Sequence, residues 1–337
     1  MPANSRFTVA VFGAAGYAGS LAARLLHNHP DFELRWITAR SDVGRRLDDV
    51  YPQHRVPMVM EEAEIERHGD VDAAVVAYPH GASAPFVAEL RARGVKVVDL
   101  SADFRLRDVG TYEEWYRPHP QPDLIMQAVY GLPELYRDQI AGADLVANPG
   151  CYPTAAILAL APLARAGVIA DVVIDAKSGV SGAGRAATDK THFVAVAENV
   201  NAYGVPRHRH TPEIEQELAA LGNDVTITFT PHLLPLDQGE LVSCYVTLGD
   251  PAIGTGELES LYRDAYDREQ FVELVTEPAG VRAVRETNIC RISLHRDERT
   301  GRVIVFGAID NLWKGTASAA MQNLNLMFGL PEGAGIS

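Results

Sequence analysis

Cysteine is scarce and unpaired in this chain. Three occur in 337 residues, Cys151, Cys244 and Cys290, with no C-x-x-C spacing. That pattern excludes a disulfide framework and a zinc ribbon, and it fits a reducing compartment. Long apolar runs are missing too. The first hydrophobic segment, Phe7 to Phe12, runs straight into glycines, so it reads as a strand rather than a signal peptide or a membrane span. A cytoplasmic location is expected. Basic residues are outnumbered, 30 Lys plus Arg against 44 Asp plus Glu, for a net charge of -14. Such a chain is a poor non-specific binder of nucleic acid, and any anionic ligand needs a local basic patch. Neither an internal repeat nor a low-complexity linker interrupts the sequence.

What is present is a soluble composition, 47% hydrophobic and 22% charged, and a length beyond one ordinary core, so two domains are expected. Thr8 to Phe12 is a β-branched run suited to a strand buried on both faces. Gly13-Ala14-Ala15-Gly16-Tyr17-Ala18-Gly19 follows, then an apolar helical segment, Leu21 to Leu26. Glycines at this spacing permit a tight turn and close approach of a pyrophosphate to a helix N-terminus. The next strand, Phe32 to Ile37, ends at Thr38-Ala39-Arg40-Ser41, with the first acid only at Asp42. A guanidinium and hydroxyls suit a 2′-phosphate, which favours NADP over NAD. Arg45 and Arg46 read as loop residues.

Further strands fall at Asp72 to Ala77, Val95 to Leu100 and Asp144 to Ala147, with a helix at Ser83 to Arg91. This order predicts a mostly parallel, doubly wound sheet with Gly13–Gly19, Tyr78–Gly81 and Ser101–Arg105 on one rim. His80 reads as a turn histidine. The aromatic stretch from Asp108 to Arg137 reads as an ordered excursion without clear period.

Asn148-Pro149-Gly150-Cys151-Tyr152-Pro153-Thr154 then carries a cysteine from a strand end into a helix predicted over Thr154 to Leu163. Pro153 suits the first helical position, with Cys151 at or just before the N-cap, where free N–H groups and the helix dipole favour a thiolate. After it the strands (Val172–Ala176, Val225–Phe229, Leu241–Leu248, Asn288–Leu294, Val303–Ile309) lie farther apart, with helices at Pro212–Leu221 and Glu257–Tyr266. An α+β domain is expected. Asn311 to Phe328 reads as one long helix.

Ser178 to Arg185 is a second glycine-rich stretch, whose N–H groups, hydroxyls and Arg185 could hold a phosphate or carboxylate. Arg207-His208-Arg209-His210 precedes a helix start, read with Thr211 as cap and Pro212 at the first position. Its two histidines suit acid–base work, and no second cluster supports a metal. Thr230 to Pro235 reads as a proline-bounded turn with His232 structural. Asn311 and Lys314 stand at a strand–helix junction, where Asn311 could reach a nicotinamide amide or cap the helix.

A nucleotide turn, a cysteine on the same rim and nearby histidines suggest nicotinamide-dependent acyl chemistry through a thioester. These residues also carry a resemblance. Gly13–Gly19, Asp99–Arg105, Asn148–Thr154, Ser178–Arg185, His208–Ile214 and Asn323–Glu332 closely resemble the N-acetyl-gamma-glutamyl-phosphate reductase family of arginine biosynthesis, over nearly the whole length. The resemblance implies NADPH-dependent reduction of an acyl phosphate to a semialdehyde. It also implies an α/β protein with a Rossmann-type doubly wound sheet at 1–150. An α+β domain of the semialdehyde/glyceraldehyde-phosphate dehydrogenase type would span 151–310, and a C-terminal helix, 311–337, would return to the first domain. A homo-oligomer, dimer or tetramer, is implied, with no metal.

By position, Cys151 would be the nucleophile and His208 or His210 the acid–base group. Gly13, Ala15, Gly16, Tyr17, Gly19, Thr38, Arg40, Ser41, Ser181, Gly182 and Asn311 would face the cofactor. Arg105, Asn148, Ser178, Gly179, Arg185 and Glu213 would face the substrate. The stretch from Ala186 to Asn201 departs from a clear pattern. A carrier-linked aminoadipyl phosphate reductase, an aspartate-semialdehyde dehydrogenase and a non-catalytic NADP sensor fit the motifs less well.

Overall fold

The computed structural model describes residues 6–336. They form two compact units, Met1–Gly150 with Thr316–Ser337, and Cys151–Gly315.

In the first unit, six parallel strands form one sheet. They are β1 (Phe7–Phe12), β2 (Phe32–Thr38), β3 (Ala73–Val76), β4 (Lys96–Asp99), β5 (Val129–Tyr130) and β6 (Leu145–Ala147), in the order β2-β1-β3-β4-β6-β5. The strands are short and apolar because helices such as α1 (Tyr17–His27) and α2 (Ala84–Ala92) cover the sheet; Ala73 to Val76 is wholly buried. The order reverses between β1 and β3, the place where doubly wound sheets bind ligands beyond their strand ends. The aromatic excursion is not irregular throughout. It holds α3 (Val109–Trp115), capped by the Asp108 carboxylate accepting from the Thr111 N–H at 2.6 Å, and the start of α4 (Pro133–Ala141).

The second unit opens with α5 (Cys151–Arg165) and builds a mixed seven-stranded sheet. Its strands are β7 (Ile169–Gly179), β8 (Asn201–Ala202), β9 (Ile227–Leu234), β10 (Glu240–Leu248), β11 (Val272–Leu274), β12 (Cys290–Asp297) and β13 (Arg302–Ile309). The order is β11-β12-β13-β10-β7-β9-β8. Its longer helices besides α5 are α6 (Thr211–Ala220) and α7 (Thr255–Tyr266). Every residue of α5 from Tyr152 to Ala164 is buried. Pro162 inside α5 has no N–H for the Leu158 carbonyl four residues back. The Tyr266 hydroxyl donates to that carbonyl at 2.5 Å, and Tyr262 donates to Ala159 at 2.6 Å. The buried acceptors are thereby satisfied from α7.

Four local readings need correction. The helix at the cysteine begins at Cys151 itself, with Pro153 third rather than first. The whole first turn lacks intrahelical partners for its N–H groups, so proline fits there equally well. Likewise His210, not Thr211, is the N-cap of α6, and Pro212 is its second residue. Thr230 to Leu234 is strand, not turn. Pro231 pairs with Ala176 of β7 on one side, and on the other β9 meets only the two-residue β8, so a missing N–H is tolerated. Finally, Asn311 to Phe328 is not one helix. A π-helical turn, Trp313–Ala317, precedes α8 (Ser318–Met327), which belongs to the first unit. The Asp310 carboxylate accepts from Leu312 and Trp313, and its carbonyl accepts from Gly315, five residues on. That pattern widens the turn.

Candidate active site

In the first unit, the glycine-rich turn is shaped by its backbone. Gly13 has φ +94°, and a Cβ there would lie 2.6 Å from the Ala77 carbonyl oxygen. A Cβ on Gly19 would run into the Gly13 carbonyl. Gly16, the N-cap of α1, faces open space: a Cβ there meets nothing closer than the Gly13 oxygen at 3.7 Å. Thr38 is fully buried, and its carbonyl accepts from the N–H groups of Gly13 and Ala14 at 2.9 and 2.8 Å. Its part is to hold the turn. Tyr51, which the sequence reading missed, donates its hydroxyl to the Ala15 carbonyl at 2.7 Å. Just beyond β2, Arg40 is exposed with its guanidinium 4.8 Å from the Tyr78 ring centre, beside exposed Ser41. Asp42 is paired to Arg45 at 2.8 Å.

The residues leading to the cysteine are tied down in the same unit. Arg105, 5% exposed, donates from Nε to the Asn148 carbonyl at 2.7 Å and from Nη2 to the Leu100 carbonyl at 2.9 Å. Asn148 donates to the Thr316 carbonyl at 3.2 Å and accepts from Asn323 at 3.1 Å. Both residues, expected to face substrate, are thus engaged in fixing the turn before Cys151. Asp99 is fully buried, and its carboxylate accepts from the hydroxyls of Ser83 and Ser101; burial lifts it to about 6.

In the second unit, Cys151 is the half-buried first residue of α5. Cys244 and Cys290 are fully buried, and burial pushes the Cys244 thiol well up, so only Cys151 stands where a thiolate is both reachable and favoured. Gly315 packs on it, so closely that a Cβ there would lie 2.8 Å from the Cys151 Cβ.

Tyr152 centres an aromatic cluster. His208, His210 and Phe229 meet its ring edge-on at centroid distances of 5.8, 5.9 and 5.4 Å. Tyr203 donates to the Tyr152 hydroxyl at 3.1 Å, and the two histidine rings lie 4.8 Å apart. Nδ1 of His208 accepts from the His210 backbone N–H at 3.2 Å, which leaves the ring proton on Nε2. Burial, helped by Arg209, lowers His208 to about 4, so the ring is neutral at neutral pH. Glu240, first residue of β10, is fully buried beside Cys151; burial and, less so, Asp310 lift it to about 8 although the nearby thiol opposes this. Tyr203 and Glu240 were missed because each lies far along the chain from the cysteine. The only available signal was an acid opening an otherwise apolar strand.

The second glycine-rich stretch is not an open nest of N–H groups. The N–H groups of Gly179, Val180 and Ser181 donate to the carbonyls of Gly239, Leu236 and Asp237. Asn311 donates to the Ser181 hydroxyl at 3.0 Å and accepts from the Gly239 N–H at 2.7 Å, which ties the two segments together. Ser178 is buried beside Glu240 in the β7–β10 register, Gly182 and Arg185 are exposed, and Glu213 is buried in the first turn of α6. Among the described residues, no three or more His, Cys, Asp or Glu side chains are arranged to hold a metal ion. Among the same residues, no helix is long and apolar enough to cross a membrane.

Comparison with known proteins fits both units. Residues 8–143 match the family described as semialdehyde dehydrogenase, NAD binding domain, and residues 151–311 match semialdehyde dehydrogenase, dimerisation domain. The N-acetyl-gamma-glutamyl-phosphate reductase of Desulforudis audaxviator is 50% identical, covering 97% of each chain. That of Moorella thermoacetica is 49% identical, covering 96% of this chain and 95% of its own. The chain belongs to the N-acetyl-gamma-glutamyl-phosphate reductase family. Solved structures share this family's fold at much lower identity. Aspartate semialdehyde dehydrogenase II of Vibrio cholerae, complexed with ASA, superposes with a TM-score of 0.73 at 18% identity, covering 96% of this chain and 99% of that one. The Candida albicans aspartate semialdehyde dehydrogenase with NADP gives 0.72 at 14% identity, with the same coverage. The Rossmann-type and α+β architecture expected for the family is the one found here.

Proposed function

We propose that this chain reduces N-acetyl-gamma-glutamyl phosphate to N-acetylglutamate 5-semialdehyde with release of phosphate, using NADPH, in arginine biosynthesis. The observation that carries this reading is identity near one half, over nearly the full length, to reductases of that name, joined to a half-buried cysteine at a helix start.

The Cys151 thiolate attacks the acyl carbon, a C–S bond forms, the C–O bond to phosphorus breaks and phosphate leaves. N–H groups of the first turn of α5 face the developing oxyanion. NADPH, held by Gly13, Gly16, Gly19, Arg40 and Ser41, would supply the hydride chemistry that reduces the thioester. The C–S bond then breaks, and the thiolate returns as the aldehyde departs. His208, neutral and with its proton on Nε2, acts as a hydrogen-bond donor. We assign the acid–base role to His210, at the N-terminus of α6.

Gly13, Gly16 and Gly19, with the backbone of Ala15 and Tyr17, fit a pyrophosphate, since the open space at Gly16 is what a Cβ would fill. Arg40 and Ser41 suit a 2′-phosphate, and Asp42 is drawn away by Arg45. Ser178 and Glu213, with Arg185, are assigned to the substrate. Gly179 joins that site, and Ser181, Gly182 and Asn311 are assigned to the cofactor. Self-association, as dimer or tetramer, is proposed because residues 151–311 match a domain described by dimerisation. A cytoplasmic location is proposed from the scarcity of cysteine and the biosynthetic role.

The test is an assay with N-acetylglutamate semialdehyde, aspartate semialdehyde and a carrier-linked aminoadipate semialdehyde, each with phosphate and NADP or NAD. Turnover restricted to either of the last two substrates overturns the assignment. Cys151→Ser is expected to abolish phosphate-dependent NADP reduction while NADPH still binds. Near-normal turnover of that variant excludes the thioester.

A further inference from the structure

Glu240 is a buried acid beside the cysteine, and nothing in the reaction described above uses it. It opens β10, in register with Ser178 of β7 and Ile309 of β13, and it is 0% exposed. Among the described residues, neither of its carboxyl oxygens has a hydrogen-bond partner, the Cys151 sulfur included. The Cys151 thiol lies near enough to act on its carboxyl, though no hydrogen bond is formed between them in this state. The other ionisable groups facing it are Asp310 beyond β13, Tyr152 on α5 and Tyr203 after β8. Burial keeps both tyrosines protonated, and Asp310 is acidic, so no cation among them compensates a carboxylate. A carboxylate buried without donors is costly, and two anions in contact cost more still.

We propose that Glu240 is a catalytic residue that shares a single proton with Cys151, so that in the attacking state a protonated carboxyl donates to the thiolate sulfur. This rests on Cys151 being the nucleophile, and it adds a proton partner to the reaction. The pair holds two protons at low pH and loses one on activation; the remaining proton resides on Glu240 while the sulfur carries the charge. When the C–S bond forms, the sulfur's charge passes to the departing phosphate and the carboxyl stays neutral. When the C–S bond breaks, the same O–H meets the leaving thiolate. No proton leaves the pair during the cycle. The raised affinity of Glu240 for its proton, to about 8, agrees with this order.

The experiment follows alkylation of the substrate-free protein by iodoacetamide from pH 5 to 11, with the labelled peptide identified by mass. The wild type is expected to label at Cys151 in two steps, the second arising when the carboxyl also ionises. Glu240→Gln, whose amide still donates but cannot ionise, is expected to show one step with a midpoint near the first. Glu240→Leu, which removes the donor, is expected to raise that midpoint by a unit or more, an about tenfold slower reaction at pH 7. A merely structural role would change the melting temperature and leave the number of steps alone. If Glu240→Leu fails to fold, the presence or absence of the second step in Glu240→Gln decides. Identical profiles in wild type and variants, with Cys151 labelled, overturn the shared proton and leave the thioester reading standing. Labelling that spares Cys151 overturns both.

Discussion

The ligand edge of the first unit is built from backbone, and the thiol site of the second from side chains. Gly13, Gly16 and Gly19 matter for what they lack, and the atoms around them are mostly main chain: the Thr38 carbonyl, the Ala77 carbonyl and the first turn of α1. Around Cys151 and its neighbour Tyr152 the balance reverses. Tyr152, Tyr203, His208, His210, Phe229 and Glu240 come from α5, the segment after β8, the approach to α6, and strands β9 and β10. A backbone site is set by one short stretch, whereas a side-chain site requires the whole sheet to be in register. The two kinds of site should therefore fail differently when a single methyl or charge is changed.

The largest contrast is between two glycines. Gly16→Val puts a branched side chain into the open space before α1, with no backbone in its way. NADPH affinity is expected to fall on the order of 100-fold, near 2.7 kcal/mol. Unfolding free energy should fall by only about 1 kcal/mol, the loss of a good N-cap residue for a poor one, because no backbone has to move. Gly179→Ala does the opposite. Its Cβ would lie 2.7 Å from the Asp237 carbonyl, so about 2 kcal/mol of stability is lost to overpacking while NADPH affinity of the folded protein is kept. Urea denaturation and NADPH titration on both variants separate the cases. Equal loss of affinity in the two would erase the distinction between a ligand turn and a scaffold turn.

The same distinction governs what could be read in advance. The nucleotide turn was legible because strand, glycines and helix follow one another within about twenty residues. The second glycine-rich stretch has the same composition but ends a strand, β7, and its N–H groups are taken by residues 236–239. Composition alone could not reveal that, because the competing carbonyls lie some sixty residues away. Cys151 was legible from the turn that carries it. Tyr203 and Glu240 were not, since their proximity to the cysteine comes from α5 lying against strands that the sequence can mark but not order. Pro231 misled for a related reason: whether a strand tolerates proline depends on its being near an edge.

A mid-sized effect should appear in acid. His208 is neutral in the fold, lowered to about 4 by burial, while an unfolded histidine titrates near 6.5. The depressed value means that its contribution to stability is complete above pH 6.5 and lost as pH falls toward 4. His208→Gln, which cannot titrate, is expected to show a flatter fall of urea midpoint between pH 6.5 and 4 than the wild type. Parallel curves would mean that the imidazole is hydrated and that the aromatic cluster does not enforce its neutrality. A backbone site offers no such handle, since the glycine turn contains no histidine or carboxylate.

The smallest expected effect tests the one place where the backbone site does use a side chain. Arg40 is exposed, its guanidinium lying over the Tyr78 ring at 4.8 Å, so the stacking orients the fork without consuming its N–H groups. A single charge-assisted contact to a phosphate at such an exposed position is worth about 1.4 kcal/mol. Arg40→Ala should therefore raise the KM for NADPH about tenfold and leave the KM for NADH unchanged, with kcat unaltered for either. If both cofactors weaken together, Arg40 supports the turn rather than the 2′-phosphate. The discrimination would then lie with Ser41 or with the main chain, and even the cofactor's phosphate would be read by backbone.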